Sequence, residues 1–186
     1  MPRAALSADA VVALALETVD EKGASALTLS AVAGRAGVAT PSLYKHVRGL
    51  PELRVLVSTR IMNDMADAAG QAVLGRSADE AVRAFMEAWR TYARRHPHRY
   101  AALLQNPEPG SAEAGERLLG IILAALRSYG LTDSAAIHLT RCLRAAVHGF
   151  AVLETGGAFG LPESVDESYD LLIRIVIAGA RTASPA

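Results

Sequence analysis

The stretch Ala33–Val47 reads AGRAGVATPSLYKHV, and it decides how the first part of the chain folds. An amphipathic helix is predicted to end at Gly37, and a second short helix to begin almost at once, near residue 40. Leu43 and Val47 are the apolar positions of this second helix and are predicted to face inward. The polar and charged side chains between them are then left facing outward: Thr40, Ser42, Tyr44, Lys45 and His46.

The composition restricts the class of protein. The chain has 186 residues, of which 51% are hydrophobic and 20% are charged, so it can bury a core and is not expected to be disordered. Alanine and leucine are frequent, and glycine and proline fall between the periodic segments, which predicts an all-α fold. We expect no signal peptide and no membrane span, and the single cysteine, Cys142, fits a reducing cytoplasm.

Helical periodicity and capping residues predict about nine helices. Ser7 and Thr28 are suitable N-caps for the first two helices, and Pro41 and Pro51 stand near the starts of the third and fourth. The predicted helices cover residues 7–22, 28–36, 40–47, 51–72, 78–95, 97–104, 111–128, 133–154 and 163–182. We interpret the long fourth helix as a strut between two halves of the chain.

Charge is distributed unevenly between the two predicted domains, residues 1–50 and 51–186. The formal net charge of the whole chain is zero, yet residues 24–60 contain five Arg or Lys residues and one acidic residue, Glu52. A local basic patch is the electrostatic feature expected of a lobe that binds nucleic acid, even where the overall charge is neutral.

Helix, glycine turn and helix together form the helix-turn-helix arrangement. The second helix of such a pair can lie in the major groove of DNA, which is about 12 Å wide and admits one α-helix. From spacing alone, an αα-hairpin with an ordinary solvated face remains an alternative.

The run from Leu27 to Val47, with an amphipathic helix before it, resembles the DNA-binding domain of the TetR family of bacterial transcriptional regulators. Its most specific part is the segment Leu43-Tyr44-Lys45-His46. The resemblance implies that Thr28 caps the second helix and contacts a phosphate, and that Tyr44 and His46 bind phosphates. It places four residues nearest the bases: Thr40, Pro41, Ser42 and Lys45.

Two positions depart from the family pattern. Ser30 stands where some members carry a base-reading arginine. Leu50-Pro51-Glu52 stands where a lysine is common at the start of the fourth helix, so Arg48 or Arg54 would have to supply that phosphate contact.

A single module of this kind buries too little DNA surface for specific binding, so we expect a homodimer that reads a palindromic operator. The last two long helices of each subunit would form a four-helix bundle. The alternative is that their apolar stripes serve only the internal core. The predicted interface residues are Leu143, Val147, Phe150, Leu172, Ile173 and Val176.

The resemblance also implies a pocket for a small-molecule effector among the fourth to eighth helices. His148-Gly149 is similar to a His-Gly element in the ligand domain of one TetR subgroup. The pocket would take an apolar or aromatic ligand, with Trp89 as the leading candidate, although the same stripe could simply be core. The predicted lining residues are Phe85, Met86, Trp89, Tyr92, Leu103, Ile122 and His138.

These features predict a repressor that leaves its operator when an effector shifts the fourth helix. A small all-α enzyme and a helical adaptor without DNA binding are the alternatives. No catalytic residue and no cofactor are predicted, because no nucleophile or base has a local partner. No metal site is predicted either, since the four candidate histidines fit no zinc-binding spacing: His96, His98, His138 and His148.

Overall fold

The computed structural model describes residues 6–103 and 109–183, and within these ranges the chain contains helices and no strand. The predicted all-α fold is therefore confirmed. The α-helices are α1 (Ala8–Lys22), α2 (Leu29–Ala36), α3 (Leu50–Val73), α4 (Ala78–Arg95), α5 (Pro97–Ala101), α6 (Ala112–Arg127), α7 (Asp133–Thr155) and α8 (Val165–Thr182). Short 3₁₀ segments occupy Ala24–Ala26, Thr40–Lys45 and Pro109–Ser111.

All nine predicted helices are present, and the third is a 3₁₀ segment rather than an α-helix. Helix starts follow the capping residues. The hydroxyl oxygen of Ser7 accepts a hydrogen bond from the Ala10 N–H at 3.1 Å, and Ser164 accepts one from the Glu167 N–H at 3.2 Å. The second cap explains why α8 begins at Val165 and not at residue 163. The predicted end of the sixth helix, residue 104, lies outside the described residues.

The chain divides into two compact units. Unit 1 comprises Met1–Met62 and His96–Gly115, and unit 2 comprises Asn63–Arg95 and Glu116–Ala186. The predicted domain boundary at residue 50 falls within unit 1, which also contains the first half of α3 and the whole of α5. No helix within the described residues is long and apolar enough to cross a membrane.

An ion pair explains why α5 belongs to unit 1. Arg99 donates two hydrogen bonds to the carboxylate of Asp20, at 2.8 and 2.6 Å, and a ring nitrogen of His98 lies 2.9 Å from the Asp20 carbonyl oxygen. The hydrogen bond from Arg99 lowers the pKa of Asp20. These bonds hold α5 at the C-terminal end of α1.

In unit 2, α4 packs against both α7 and α8, and α7 packs against α8. Phe85 and Met86 of α4, Leu143 and Val147 of α7, and Ile173 of α8 are almost completely buried. These side chains lie at the centre of the unit, and their burial stabilises it.

A buried arginine connects all three of these helices. Arg90 of α4 is only 8% exposed. It donates two hydrogen bonds to Glu154, near the end of α7, at 2.7 and 2.6 Å, and one to Asp166, in the first turn of α8, at 2.6 Å. Its guanidinium carbon lies 4.6 Å from the centre of the Tyr169 ring. The hydrogen bond with Glu154 raises the pKa of Arg90 further, so the side chain is charged at every accessible pH.

We expect Arg90→Ala to lower the free energy of unfolding by about 3–5 kcal/mol, because it leaves the carboxylate of Glu154 buried without its partner. The matched control is Arg94→Ala, which removes an exposed arginine one turn further along α4 and should cost about 1 kcal/mol or less. Urea unfolding measures both. Equal losses for the two variants would contradict the role of Arg90.

Candidate nucleic-acid interface

The turn between α2 and the 3₁₀ segment Thr40–Lys45 is set by Gly37. This residue has φ 65° and ψ 34°, in the left-handed region. Its N–H donates to the Gly34 carbonyl at 3.2 Å, and the Val38 N–H donates to the Ala33 carbonyl at 3.0 Å. This is the Schellman arrangement, in which glycine avoids the steric cost that a Cβ would bring. The chain therefore leaves α2 in a fixed direction.

The 3₁₀ geometry decides which side chains of the segment face solvent. With three residues per turn, positions i and i+3 lie on the same side. Leu43 is completely buried, and its neighbours on that side, Thr40 and His46, are half-buried. Pro41 and Tyr44 share a second side and are exposed, Tyr44 to 57%.

Fewer side chains of this segment are fully exposed than the sequence predicts. Lys45 is exposed like Tyr44, but Thr40, Ser42 and His46 are only partly accessible. The prediction assumed α-helical spacing, in which Thr40 and His46 lie about 60° around the helix axis from Leu43 rather than in line with it. Pro41, Tyr44 and Lys45 are the side chains that the segment projects furthest into solvent.

Burial of Leu43 and Val47 holds this segment in place. Val47 is 2% exposed, and its N–H and that of His46 both donate to the Leu43 carbonyl, at 3.0 and 2.8 Å. Before the turn, the Thr28 hydroxyl oxygen accepts a hydrogen bond from the Ala31 N–H at 3.1 Å, as its capping role predicts. Thr28 and Ser30 are both exposed at the start of α2.

Part of the basic charge in unit 1 is used in ion pairs within that unit. Arg35 binds Glu17 at 3.1 Å and also binds Glu21. The guanidinium of Arg48 binds the carboxylate of Glu52 at 3.0 Å, and the same carboxylate accepts the backbone N–H of Arg48, which lowers the pKa of Glu52.

Other cations near the 3₁₀ segment remain available. Lys45 and Arg54 are exposed and make no ion pair within the described residues. The side chain of Arg48 is 90% exposed, but Glu52 already holds it, so a phosphate would have to compete with that carboxylate.

The residues predicted to line an effector pocket are not all brought together. Five of them are buried in unit 2, where the rings of Phe85 and Trp89 lie 5.8 Å apart: Phe85, Met86, Trp89, Tyr92 and Ile122. His138 is exposed on α7, and Leu103 is half-buried in unit 1. The five buried side chains fit either the lining of an enclosed pocket or the core of the unit, and His138 lies apart from them on the exposed surface of α7.

The predicted dimer interface needs correction in a similar way. Leu143, Val147 and Ile173 are completely buried within unit 2, and Val176 is nearly so. Their side chains belong to the internal core, because the most regular apolar stripe of each helix packs inside the unit. Phe150 and Leu172 are only half-buried.

A second apolar stripe, which the sequence did not reveal, faces solvent on α7 and α8. Ile137 and Val152 are fifteen residues apart, about four helical turns, so they share one face of α7. Leu171 and Ile175 are four residues apart on α8, and Ile175 is 58% exposed. Since α7 and α8 pack together, this unit carries exposed apolar side chains on both helices of the pair.

Comparison with known proteins agrees with this architecture. Residues 11–48 match the family described as bacterial regulatory proteins, tetR family, and residues 82–176 match the tetracyclin repressor-like C-terminal domain. An uncharacterized HTH-type transcriptional regulator of Mycobacterium tuberculosis is 33% identical over 92% of this chain and 81% of its own length. An uncharacterized HTH-type transcriptional regulator of Bacillus subtilis, YobS, is 31% identical over 96% and 94%.

The fold also matches a solved structure. The Streptomyces coelicolor TetR family protein ActR, in complex with (S)-DNPA, superimposes with a TM-score of 0.73 at 23% identity, over 96% of this chain and 98% of that one.

We expect Gly37→Ala to cost about 1–2 kcal/mol of unfolding free energy, because a Cβ is disfavoured in the left-handed conformation. Gly34→Ala is the matched control: Gly34 lies within α2, and a Cβ there meets no atom within 4 Å. It should stabilise the protein by about 0.5–1 kcal/mol. Thermal or urea unfolding measures both variants, and effects of the same sign would contradict the turn geometry.

Proposed function

The chain belongs to the TetR family of bacterial transcriptional regulators, and from this premise we propose that it is a dimeric repressor that binds a palindromic operator and is released by a small molecule. It is a helix-turn-helix regulator and not an enzyme. The observation that carries the proposal is the rigidly anchored 3₁₀ segment that presents Tyr44 and Lys45 to solvent. Such a protein acts on the chromosome, in the cytoplasm.

In this proposal, the 3₁₀ segment enters the major groove. Pro41 offers an apolar contact, and Lys45 donates to base edges or phosphates, because these side chains project furthest. Tyr44 and His46 bind phosphates and fix the register of the segment on the duplex, and Thr40 and Ser42 contact the bases beside it.

The remaining contacts come from the ends of neighbouring helices. Thr28 and Ser30 are exposed at the start of α2, where backbone N–H groups favour a phosphate. Arg48 reaches a phosphate only if it leaves Glu52, so Arg54, which makes no ion pair within the described residues, is the better candidate for that contact.

Dimerisation would occur through the exposed stripe on α7 and α8. Two such helices from each subunit form a four-helix bundle around a twofold axis. In this arrangement the partner covers exposed apolar area on Ile137, Val152, Leu171 and Ile175. The twofold axis would place the two recognition segments about one DNA turn apart, roughly 34–36 Å, as a palindromic operator requires.

Release of the protein from DNA by an effector would depend on ligand binding to the C-terminal domain. ActR has been solved with (S)-DNPA, which supports ligand binding by this fold. Because α3 continues from unit 1 into unit 2, a ligand that shifts α3 would change the position of the recognition segments. The coupling expected for such a switch is about 1–3 kcal/mol, and operator DNA must weaken ligand binding by the same factor.

Lys45→Ala should weaken binding to a DNA fragment from upstream of the protein's own gene. It should also reduce the slope of log K against log salt by about 0.9 for each phosphate that the variant no longer neutralises. Arg127→Ala is the control, since it removes an exposed arginine from the last turn of α6 in unit 2, away from the proposed dimer interface. Fluorescence anisotropy at several salt concentrations measures both. An unchanged slope for Lys45→Ala would remove this residue from the interface.

Ile175→Asp should convert the dimer to a monomer in sedimentation velocity, because a buried unpaired carboxylate at the interface is costly. Leu74→Asp is the matched control: Leu74 is also exposed and apolar, but it follows the end of α3 and lies outside the stripe on α7 and α8. A dimer that survives Ile175→Asp, or one that Leu74→Asp also disrupts, would contradict the proposed interface.

A further inference from the structure

Unit 2 contains a cavity of about 420 Å³ on the side of α4 that carries its arginines. This volume lies within the range of small-molecule sites, about 300–1,000 Å³. The cavity is not the predicted aromatic pocket, because none of the buried aromatic residues of α4 lines it. The lining residues are Glu87, Arg90, Thr91, Arg94, Arg95 and Tyr169.

The charged groups of the lining are three arginines and one glutamate. The carboxylate of Glu87 is 3.5 Å from a guanidinium nitrogen of Arg83, which does not line the cavity, so its charge is partly compensated from outside. Arg95 is exposed and makes no ion pair within the described residues. The walls of the cavity therefore offer mainly hydrogen-bond donors.

Arg90 and Arg94 retain unused donor capacity. The hydrogen bonds of Arg90 within the described residues use Nε and Nη2 and leave Nη1. The guanidinium of Arg94 lies 3.7 Å from Glu154 and 3.6 Å from Asp166, which is too far for good hydrogen bonds. Contacts with the Tyr169 ring at 4.6 Å and the Phe150 ring at 5.6 Å hold the buried guanidinium of Arg90 in place.

The two carboxylates that face these arginines differ sharply in exposure. The side chain of Glu154 is 14% exposed, whereas that of Asp166 is 73% exposed. Glu154 is the permanent partner of Arg90. Asp166 can turn into water at little cost, because an exposed carboxylate remains solvated after its ion pair breaks.

We propose that this cavity binds a small organic acid whose carboxylate bonds to Arg90 and Arg94 from the cavity side and competes with Asp166 for them. A carboxylate matches the guanidinium fork with two parallel hydrogen bonds. Arg95 adds a further positive charge, and Thr91 adds a hydroxyl group. The inference rests on the proposed function and names the chemical class of an effector, which is an acid rather than the neutral apolar ligand expected from the sequence.

Helix α8 connects the proposed site to the proposed dimer surface. Asp166 lies in the first turn of α8, and the exposed Leu171 and Ile175 follow on the same helix. When the ligand displaces Asp166, α8 loses its hydrogen bond to Arg90 at 2.6 Å. Ligand binding would thus loosen the start of a helix that carries half of the proposed interface.

Isothermal titration of the full-length protein with benzoate tests the site, at an ionic strength held constant with chloride. Benzamide, the neutral isostere, is the ligand control. Arg94→Gln/Arg95→Gln should weaken benzoate binding by about tenfold or more, the value of one charge-assisted hydrogen bond. Asp166→Asn should strengthen it, because the competing carboxylate is gone. Arg127→Gln, an exposed arginine in the last turn of α6, should leave it unchanged.

Arg127→Gln also removes a positive charge but lies outside the cavity, so unchanged benzoate binding by this variant separates a built site from general anion attraction. Equal binding by the wild type and every variant, or binding of benzamide as tight as benzoate, would overturn the proposal. Binding of inorganic phosphate without benzoate would overturn the assignment to carboxylates. DNA binding measured without benzoate distinguishes the two failures: a protein that binds its operator but not benzoate refutes only this inference, and the reverse refutes only the proposed function.

Discussion

The burial of Leu43 is the contact on which the rest of the proposed DNA-binding surface depends. This side chain is completely buried in unit 1, and Val47 follows it four residues later. Gly37 makes this burial possible, because its left-handed conformation turns the chain so that the 3₁₀ segment packs against α2. Because Leu43 is buried, the 3₁₀ geometry directs the side chains of Tyr44 and Lys45 into solvent. A surface built in this way is rigid before it meets DNA, so binding loses little conformational entropy.

The ion pairs of unit 1 affect how the proposed DNA-binding surface would distinguish one DNA sequence from another. Within the unit, Arg35 is paired with Glu17 and Glu21, and Arg48 with Glu52. The basic patch counted from the sequence is therefore weaker in the folded protein than the sequence suggests. Phosphate attraction alone contributes affinity without sequence choice. A modest number of free cations at and near the 3₁₀ segment leaves a larger share of the binding to shape and base contacts.

The sequence predicted the fold well and the side-chain environments less well. Capping residues such as Ser7 and Thr28 are local signals, so the nine helical segments could be located. Six residues are too few to distinguish a 3₁₀ repeat from an α-helical one, so the exposure of Thr40 and His46 was overestimated. Periodicity marks an apolar face but does not say what covers it, which is why Leu143 was assigned to a partner and proved to be internal.

Arg90 could not be predicted, because its partners are 64 and 76 residues away in the chain. A buried ion pair seldom adds net stability over apolar residues of the same shape, so stability does not account for it. Arg90 instead sets the positions of three helices relative to one another. One guanidinium fixes α4 against the end of α7 and the start of α8 at once, and it leaves one of its two carboxylate partners exposed. An apolar side chain could pack against the same helices, but it would make no ion pair with Asp166 that another anion could replace. In the proposed site, the position of α8 therefore depends on which anion Arg90 binds besides Glu154.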